Sequence, residues 1–164
     1  MIRAGILSDT HLMGLNKDFQ KLVQHCFAGC DTIIHAGDLT DISLLDAFHD
    51  KTVFAVHGNM CNGNAYSSLP SRLSFQLGKF SIGLTHGAGL GHDIESALWS
   101  LFPDVHCMIY GHTHQAVCHQ VGDRLIINPG SFRATGRYGA PGTYALLEVG
   151  NVLQATINEV PQLS

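Results

Sequence analysis

Short apolar runs alternate with polar stretches along the whole chain, and their spacing predicts its elements. The run over 4–7 reads as a buried strand. Over 16–28, Asn16 stands at a capping position and Phe19, Leu22, Val23, Cys26 and Phe27 repeat at three-and-four spacing, which predicts a helix. A second strand is expected over 32–35. A short helix follows over 41–48, with Ile42, Leu45 and Phe48 on one side, then a third strand over 53–56. Continuously apolar strands separated by helices imply a parallel sheet covered on both faces. Sites in such sheets form in the loops that leave the C-terminal ends of the strands. Asp9, Asp38 and Asn59 fall there.

The second half has a different rhythm. Runs over 73–77 and 80–84 flank Gly78-Lys79, a hairpin signal. A helix over 94–102 stops before Pro103, and a buried strand is expected over 107–110. Further strands are expected over 116–120, 125–127, 144–149 and 152–157, and glycine is dense between Gly130 and Gly142, which predicts a long loop. No repeat, charge block or linker divides the chain. The expectation is one domain over 1–164, of α/β (α+β) class, with a two-sheet core and helices outside.

Composition narrows the function. The 164 residues are 45% hydrophobic and 13% charged, enough for a substantial core and unlike a disordered chain. A net charge of −4 is no footprint of a protein that coats nucleic acid with a basic face, so no extended nucleic-acid surface is expected. A small phosphate ester or nucleotide-like partner stays open, because a bound metal supplies positive charge locally. The five cysteines are irregularly spaced with no CxxC pair, which excludes a zinc ribbon or disulfide framework and reads as reduced thiols of a cytoplasmic protein. The first apolar stretch is too short for a signal peptide and no run reaches membrane-spanning length, so no membrane partner is expected. A homo-oligomer stays open.

Candidate chemistry lies in five short motifs: Asp9-Thr10-His11, Gly37-Asp38, Gly58-Asn59, His86-Gly87 and Gly111-His112-Thr113-His114. Taken singly, they read as turns, caps and surface histidines. Each, however, follows a strand-like run. Asp9 with His11, and His112 with His114, stand two apart, and in an extended segment such side chains project to one side. Each pair can hold one metal edge-on or reach two neighbouring metals. Oxygen and imidazole donors suit Mn²⁺, Fe²⁺, Co²⁺, Ni²⁺ or Zn²⁺, whereas structural zinc recruits thiolates.

The ordered set D-x-H, G-D, G-N, H, G-H-x-H resembles the calcineurin-like metallophosphoesterases, specifically their small bacterial and archaeal phosphodiesterase branch. Asn128-Pro129-Gly130-Ser131 also matches that branch, and the resemblance spans nearly the whole chain. It implies a four-layer α-β-β-α sandwich, two mixed sheets packed face to face. It implies two divalent transition-metal ions, with Mn²⁺ the first choice. One would take Asp9, His11, Asp38 and His114, and the other Asp38, Asn59, His86 and His112, with Asp38 bridging. The implied reaction is attack on phosphorus by a metal-bridging hydroxide. Two carboxylates and one hydroxide against two such ions leave about +1 at the centre, so an acidic chain still attracts an anion.

One position departs from the pattern. Many members carry a histidine after the G-N asparagine that protonates the leaving group, and here Met60 and Cys61 follow Asn59. Activated or strained diesters need less of that help. His57 is the candidate to replace it alongside Asp38 and Asn59 as a catalytic group, with packing as its other reading. His35 and His92 read as packing or orienting groups. Cys61 reads as a small buried thiol, with a reactive thiol or spare ligand as its other readings, and Arg133 and Arg137 as solvated loop charges or phosphate contacts. His25, His49, His106 and His119 have no motif around them. The expected function is a metal-dependent phosphoesterase, a phosphodiesterase first. The alternatives are a phosphomonoesterase or a non-catalytic scaffold resembling the eukaryotic retromer subunit of this fold.

Overall fold

The computed structural model describes residues 1–12, 14–59, 63–133 and 140–162. In chain order the first half comprises β1 (Ile2–Leu7), α1 (Lys17–Cys26), β2 (Thr32–His35), a 3-10 helix (Ile42–Phe48), β3 (Thr52–Ala55) and α2 (Gly63–Ser68). The second comprises β4 (Arg72–Leu77), β5 (Phe80–Thr85), α3 (Ile94–Leu101), β6 (Cys107–Ile109), β7 (Val117–Val121), β8 (Arg124–Asn128), β9 (Thr143–Val149) and β10 (Leu153–Glu159). The sheets run β10-β9-β1-β2-β3 and β4-β5-β6-β8-β7. β1, β2 and β3 are parallel, as are β5, β6 and β8, and the remaining pairings are antiparallel. Both sheets are therefore mixed, as expected.

Three hydrophobic layers hold the sandwich together. Ile6, Ile34 and Val56 of the first sheet's side meet Ile82, Leu84 and Ile109 of the second in a buried central layer. On the outer face of the first sheet, Phe19 and Val23 of α1 and Phe48 pack with Leu7, Ile33 and Phe27. Ile94 and Leu98 of α3 cover Met108 and Ile126 on the outer face of the second. β6 shows why its run is continuously apolar: Cys107 and Ile109 face the central layer and Met108 faces α3. Each fully buried aliphatic side chain contributes about 2 kcal/mol relative to exposure.

Asn16 caps α1 by accepting from the Phe19 amide at 2.8 Å. The helix ends at Cys26, short of 28, because Phe27 leaves it to stack on Phe132 and meet Tyr144 edge-on. The helix expected over 41–48 is a 3-10 helix, its start fixed by Asp41 accepting from the Ser43 amide at 2.9 Å. No element was expected at α2; it is short and exposed, and has no apolar period to announce it. Cys26, Cys30, Cys107 and Cys118 are free thiols. Among the described residues no helix is long and apolar enough to cross a membrane. Met60, Cys61, Arg137 and the middle of the glycine-dense loop lie outside the described residues.

Candidate metal centre

The parallel strands of both sheets release their loops toward one place. Asp9 and His11 follow β1, Asp38 follows β2, Asn59 follows β3, His86 follows β5, and His112 and His114 follow β6. The loops are tied to one another through the backbone. The Asp9 amide donates to Gly37 O (2.9 Å), that of His11 to Asp38 O (3.0 Å), and that of Gly111 to His86 O (3.0 Å).

One sequence expectation is overturned here. Asp9 (φ 56°), His11 (φ 50°), His112 (φ 70°) and His114 (φ 63°) are left-handed, not extended, and Asp38 (φ 58°) and Thr40 (φ 71°) join them. Each such residue costs about 1 kcal/mol. Strain of this kind persists where the surroundings over-determine it, and it gathers at functional sites. The pairs converge because tight turns swing both side chains inward. Two glycines let the turns close up. A Cβ on Gly58 would collide with Asp38 Oδ1, and one on Gly111 with Ser8 Oγ.

All seven expected donors gather at this place. His86 Nε2 lies 3.2 Å from Asp38 Oδ2 and 3.9 Å from Asp9 Oδ1. His114 Nε2 lies 3.3 Å from Asp9 Oδ1, and His11 Nε2 lies 3.7 Å from it and 3.9 Å from Asp38 Oδ2. The His112 ring packs edge-on against His86, 5.2 Å between centroids. Two trios bring their donor atoms within 4.8 Å of one another: Asp9 with His11 and His114, and Asp9 with Asp38 and His86. Asp9 is the residue they share, while Asp38 Oδ2 faces both His11 and His86.

The polar bookkeeping of these atoms fits a cation. Asp9 is fully buried. Its Oδ2 accepts from Ser8 Oγ at 2.5 Å and from the His112 amide at 3.3 Å, but its Oδ1 has no hydrogen-bond partner. A buried carboxylate oxygen left unpaired is costly. Burial accordingly pushes the Asp9 carboxyl above its usual range, against the pull of Ser8, His86 and His114. His86 donates from Nδ1 to Ala36 O at 2.7 Å, which in the neutral ring turns the Nε2 lone pair toward the carboxylates. Burial disfavours its protonated form, yet Asp38 and Asp9 outweigh burial and raise its pKa. Asn59 Oδ1 stands 3.2 Å from that same Nε2, and with the amide turned its nitrogen would reach both Asp38 oxygens at 3.1 Å. A divalent cation among these lone pairs satisfies them together.

Surrounding residues fix the donors. His35 is fully buried, and burial, then His86, lower its pKa to about 3. Its neutral ring accepts from the Gly37 amide at 3.1 Å and meets Thr10 Oγ1 at 3.3 Å, bracing the turns on either side of the centre. Asn128 and Ser131 were expected only as part of a motif. Asn128 donates to Gly111 O at 3.1 Å and Thr113 Oγ1 at 3.0 Å, and Ser131 donates to Asp9 O at 3.3 Å. Ser8 was missed, since a serine before the first motif carries no signal of its own.

The other candidates sit apart. His57 packs tilted against Tyr66, 4.3 Å between centroids and 33° between ring planes, in the wall of a cavity of about 450 Å³ that also includes Asn59 and His86. Arg133 reaches the centre's edge by donating to His11 O at 3.3 Å. His92 lines a different cavity with Glu95 and Tyr110. His106 accepts from the Ser81 amide, His119 pairs with Glu95, and His49 meets Asp46 O. His25 ends α1.

Comparison with known proteins converges on one group. A family model described as the calcineurin-like phosphoesterase superfamily domain matches residues 2–152. A probable metallophosphoesterase of Methanocaldococcus jannaschii is 36% identical over 131 residues, covering 77% of this chain and 66% of the relative. Another from Methanothermobacter thermautotrophicus is 32% identical over 158 residues, covering 93% and 90%. A solved structure described as a novel archaeal phosphodiesterase superposes with a TM-score of 0.72 at 22% identity, covering 96% of this chain and 100% of that one.

Proposed function

The chain belongs to the calcineurin-like phosphoesterase superfamily, and from that membership we propose that it is a metal-dependent phosphodiesterase with a binuclear centre. The observation that carries this reading is Asp9 Oδ1, buried and unpartnered, facing the Nε2 atoms of His11, His86 and His114. One divalent ion would be held by Asp9, His11, Asp38 and His114, and a second by Asp38, Asn59, His86 and His112, with Asp38 common to both sets. The oxygen and imidazole donors suit Mn²⁺ first, with Ni²⁺, Fe²⁺, Co²⁺ and Zn²⁺ as alternatives. Bound there, such ions activate water at neutral pH and offset charge on the phosphoryl oxygens.

The chain's own residues supply position. Asp9 and Asp38 are themselves buried at the centre, and Ser8 and the His112 amide fix the Asp9 carboxylate. Asn59 and His86 mark the side that opens into the cavity. His57, on that wall, is assigned to donate a proton to the departing ester oxygen. The substrate is a small phosphate ester met in the cytoplasm. The diester preference draws on the archaeal neighbour, described as a phosphodiesterase, with monoester hydrolysis as the competing outcome.

The test is turnover of an aryl diester, an aryl monoester and 2′,3′-cyclic nucleotides with Mn²⁺, Ni²⁺, Zn²⁺ or Mg²⁺. Diester turnover that chelation abolishes and added metal restores is the expected result. Tight metal binding with no ester turned over would move the reading to a metal-binding scaffold.

A further inference from the structure

The cavity beside Asn59 and His86 carries groups that the metal centre does not use. Tyr66 of α2 is 61% exposed although His57 backs its ring. Leu90 and Leu101 supply apolar lining elsewhere in the cavity. Arg72 is the cation in its lining. The β4–β5 ladder pairs Arg72 with Thr85, the residue before His86, so this cation stands one strand from a metal-donor position. Among the described residues no carboxylate lies within 4.0 Å of Arg72, unlike Arg3, which pairs with Glu148. Among the described Lys and Arg residues Arg3 alone lies within 4.0 Å of a carboxylate, so Arg72 is set apart by its place at the edge of this centre rather than by its lack of an acidic partner.

We infer that this cavity is the subsite for a nucleotide arm of the ester, the base lying against Tyr66 and a second phosphate meeting Arg72. The inference rests on the reading of the centre as a phosphoester hydrolase, which places the reacting phosphate at Asn59 and His86. A base stacks on an exposed aromatic face without regard to its identity. A guanidinium matches phosphate geometry with paired donors. A cavity of about 450 Å³ is within the range of small-ligand sites. An aryl ester uses the ring contact alone, whereas a nucleotide bearing a further phosphate uses both.

The experiment is calorimetric titration of the Mn²⁺-loaded protein with adenosine 3′,5′-bisphosphate, adenosine 5′-monophosphate and inorganic phosphate. The bisphosphate is expected to bind at least about tenfold tighter than the monophosphate. Arg72→Ala removes that difference and Arg72→Lys restores part of it. Tyr66→Ala weakens both nucleotides about tenfold relative to inorganic phosphate, and Tyr66→Phe recovers the loss. Equal binding of the two nucleotides by the wild-type protein overturns the assignment. So does an Arg72→Ala effect that falls equally on all three ligands. Hydrolysis of an aryl diester by the same preparations is a separate readout. Its absence overturns the hydrolase reading, while the bisphosphate preference and its loss in Arg72→Ala still decide the subsite.

Discussion

The two sheets meet the centre with opposite chemistry. The first brings both carboxylates and the amide, Asp9, Asp38 and Asn59, with His11 as its one imidazole. The second brings only imidazoles, His86, His112 and His114. Burial cuts across that division: Asp9, Asp38 and His86 are 0%, 3% and 3% exposed, while Asn59 and His114 stand at the surface. Neither half is a site by itself. The first alone would bury two carboxylates without compensation, which proteins avoid. The second alone would offer three imidazoles and no charge to fix a cation. The centre is a product of sheet-on-sheet packing, and the layer of Ile6, Ile34, Ile82 and Ile109 sets its geometry.

That division can be broken most forcefully at Asp38. We predict that Asp38→Asn lowers kcat/KM by about 10⁴-fold, because it removes a buried charge that faces both His11 and His86. His114→Ala, at the exposed edge, is expected to lose about 10²-fold and to recover part of that at high metal concentration. Equal losses, unresponsive to metal, would mean that the two sheets contribute alike and that burial does not rank the donors.

His57 tests whether the first sheet also supplies acid catalysis. His57→Ala is expected to slow diesters with poor leaving groups about 10²-fold and p-nitrophenyl esters far less. A uniform loss across leaving groups would show that His57 only supports Tyr66, against which it packs.

The sequence announces the two halves unequally. The parallel order of β1, β2 and β3 is legible because each strand is an apolar run and α1 carries a clear period. The parallel placement of β6 between β5 and β8 is not, since crossover order leaves no local mark. The donors are legible as an ordered set, but their geometry is not. Asp9 and His11 look like any polar pair after a strand, and nothing in their side chains signals left-handed backbone. Asn128 is visible as part of a motif, yet its bonds to Gly111 and Thr113 exist only after folding. Arg72 is illegible for the same reason, because its relation to His86 comes from strand register.

Asn128 sharpens the comparison on the second sheet. It orients the loop that carries His112 and His114 without being a donor itself. Asn128→Ala should weaken metal binding about tenfold in a calorimetric titration, the range seen when a ligand's hydrogen-bonded support is removed. An Asn128→Ala protein with unchanged metal affinity would mean that left-handed backbone alone fixes those histidines.

A pH effect on stability, with no loss of a donor, concerns His35, which braces the first sheet's turns from within. Its folded pKa of about 3 lies below the ordinary value of 6.5. Between those values the unfolded chain takes up a proton that the native protein does not. Stability from the neutral ring is therefore complete above 6.5 and is lost as pH falls toward 3. The expected loss between pH 7 and pH 5 is about 2 kcal/mol. Urea unfolding of the chelated wild-type protein and of His35→Asn, which keeps an acceptor for the Gly37 amide, measures it. Carboxylates titrate in both proteins, so the difference in their pH slopes belongs to His35. Parallel slopes would mean that its burial is relieved in solution, and the rigidity assigned to the first sheet's rim would have to come from the Asp9–Gly37 and His11–Asp38 backbone bonds alone.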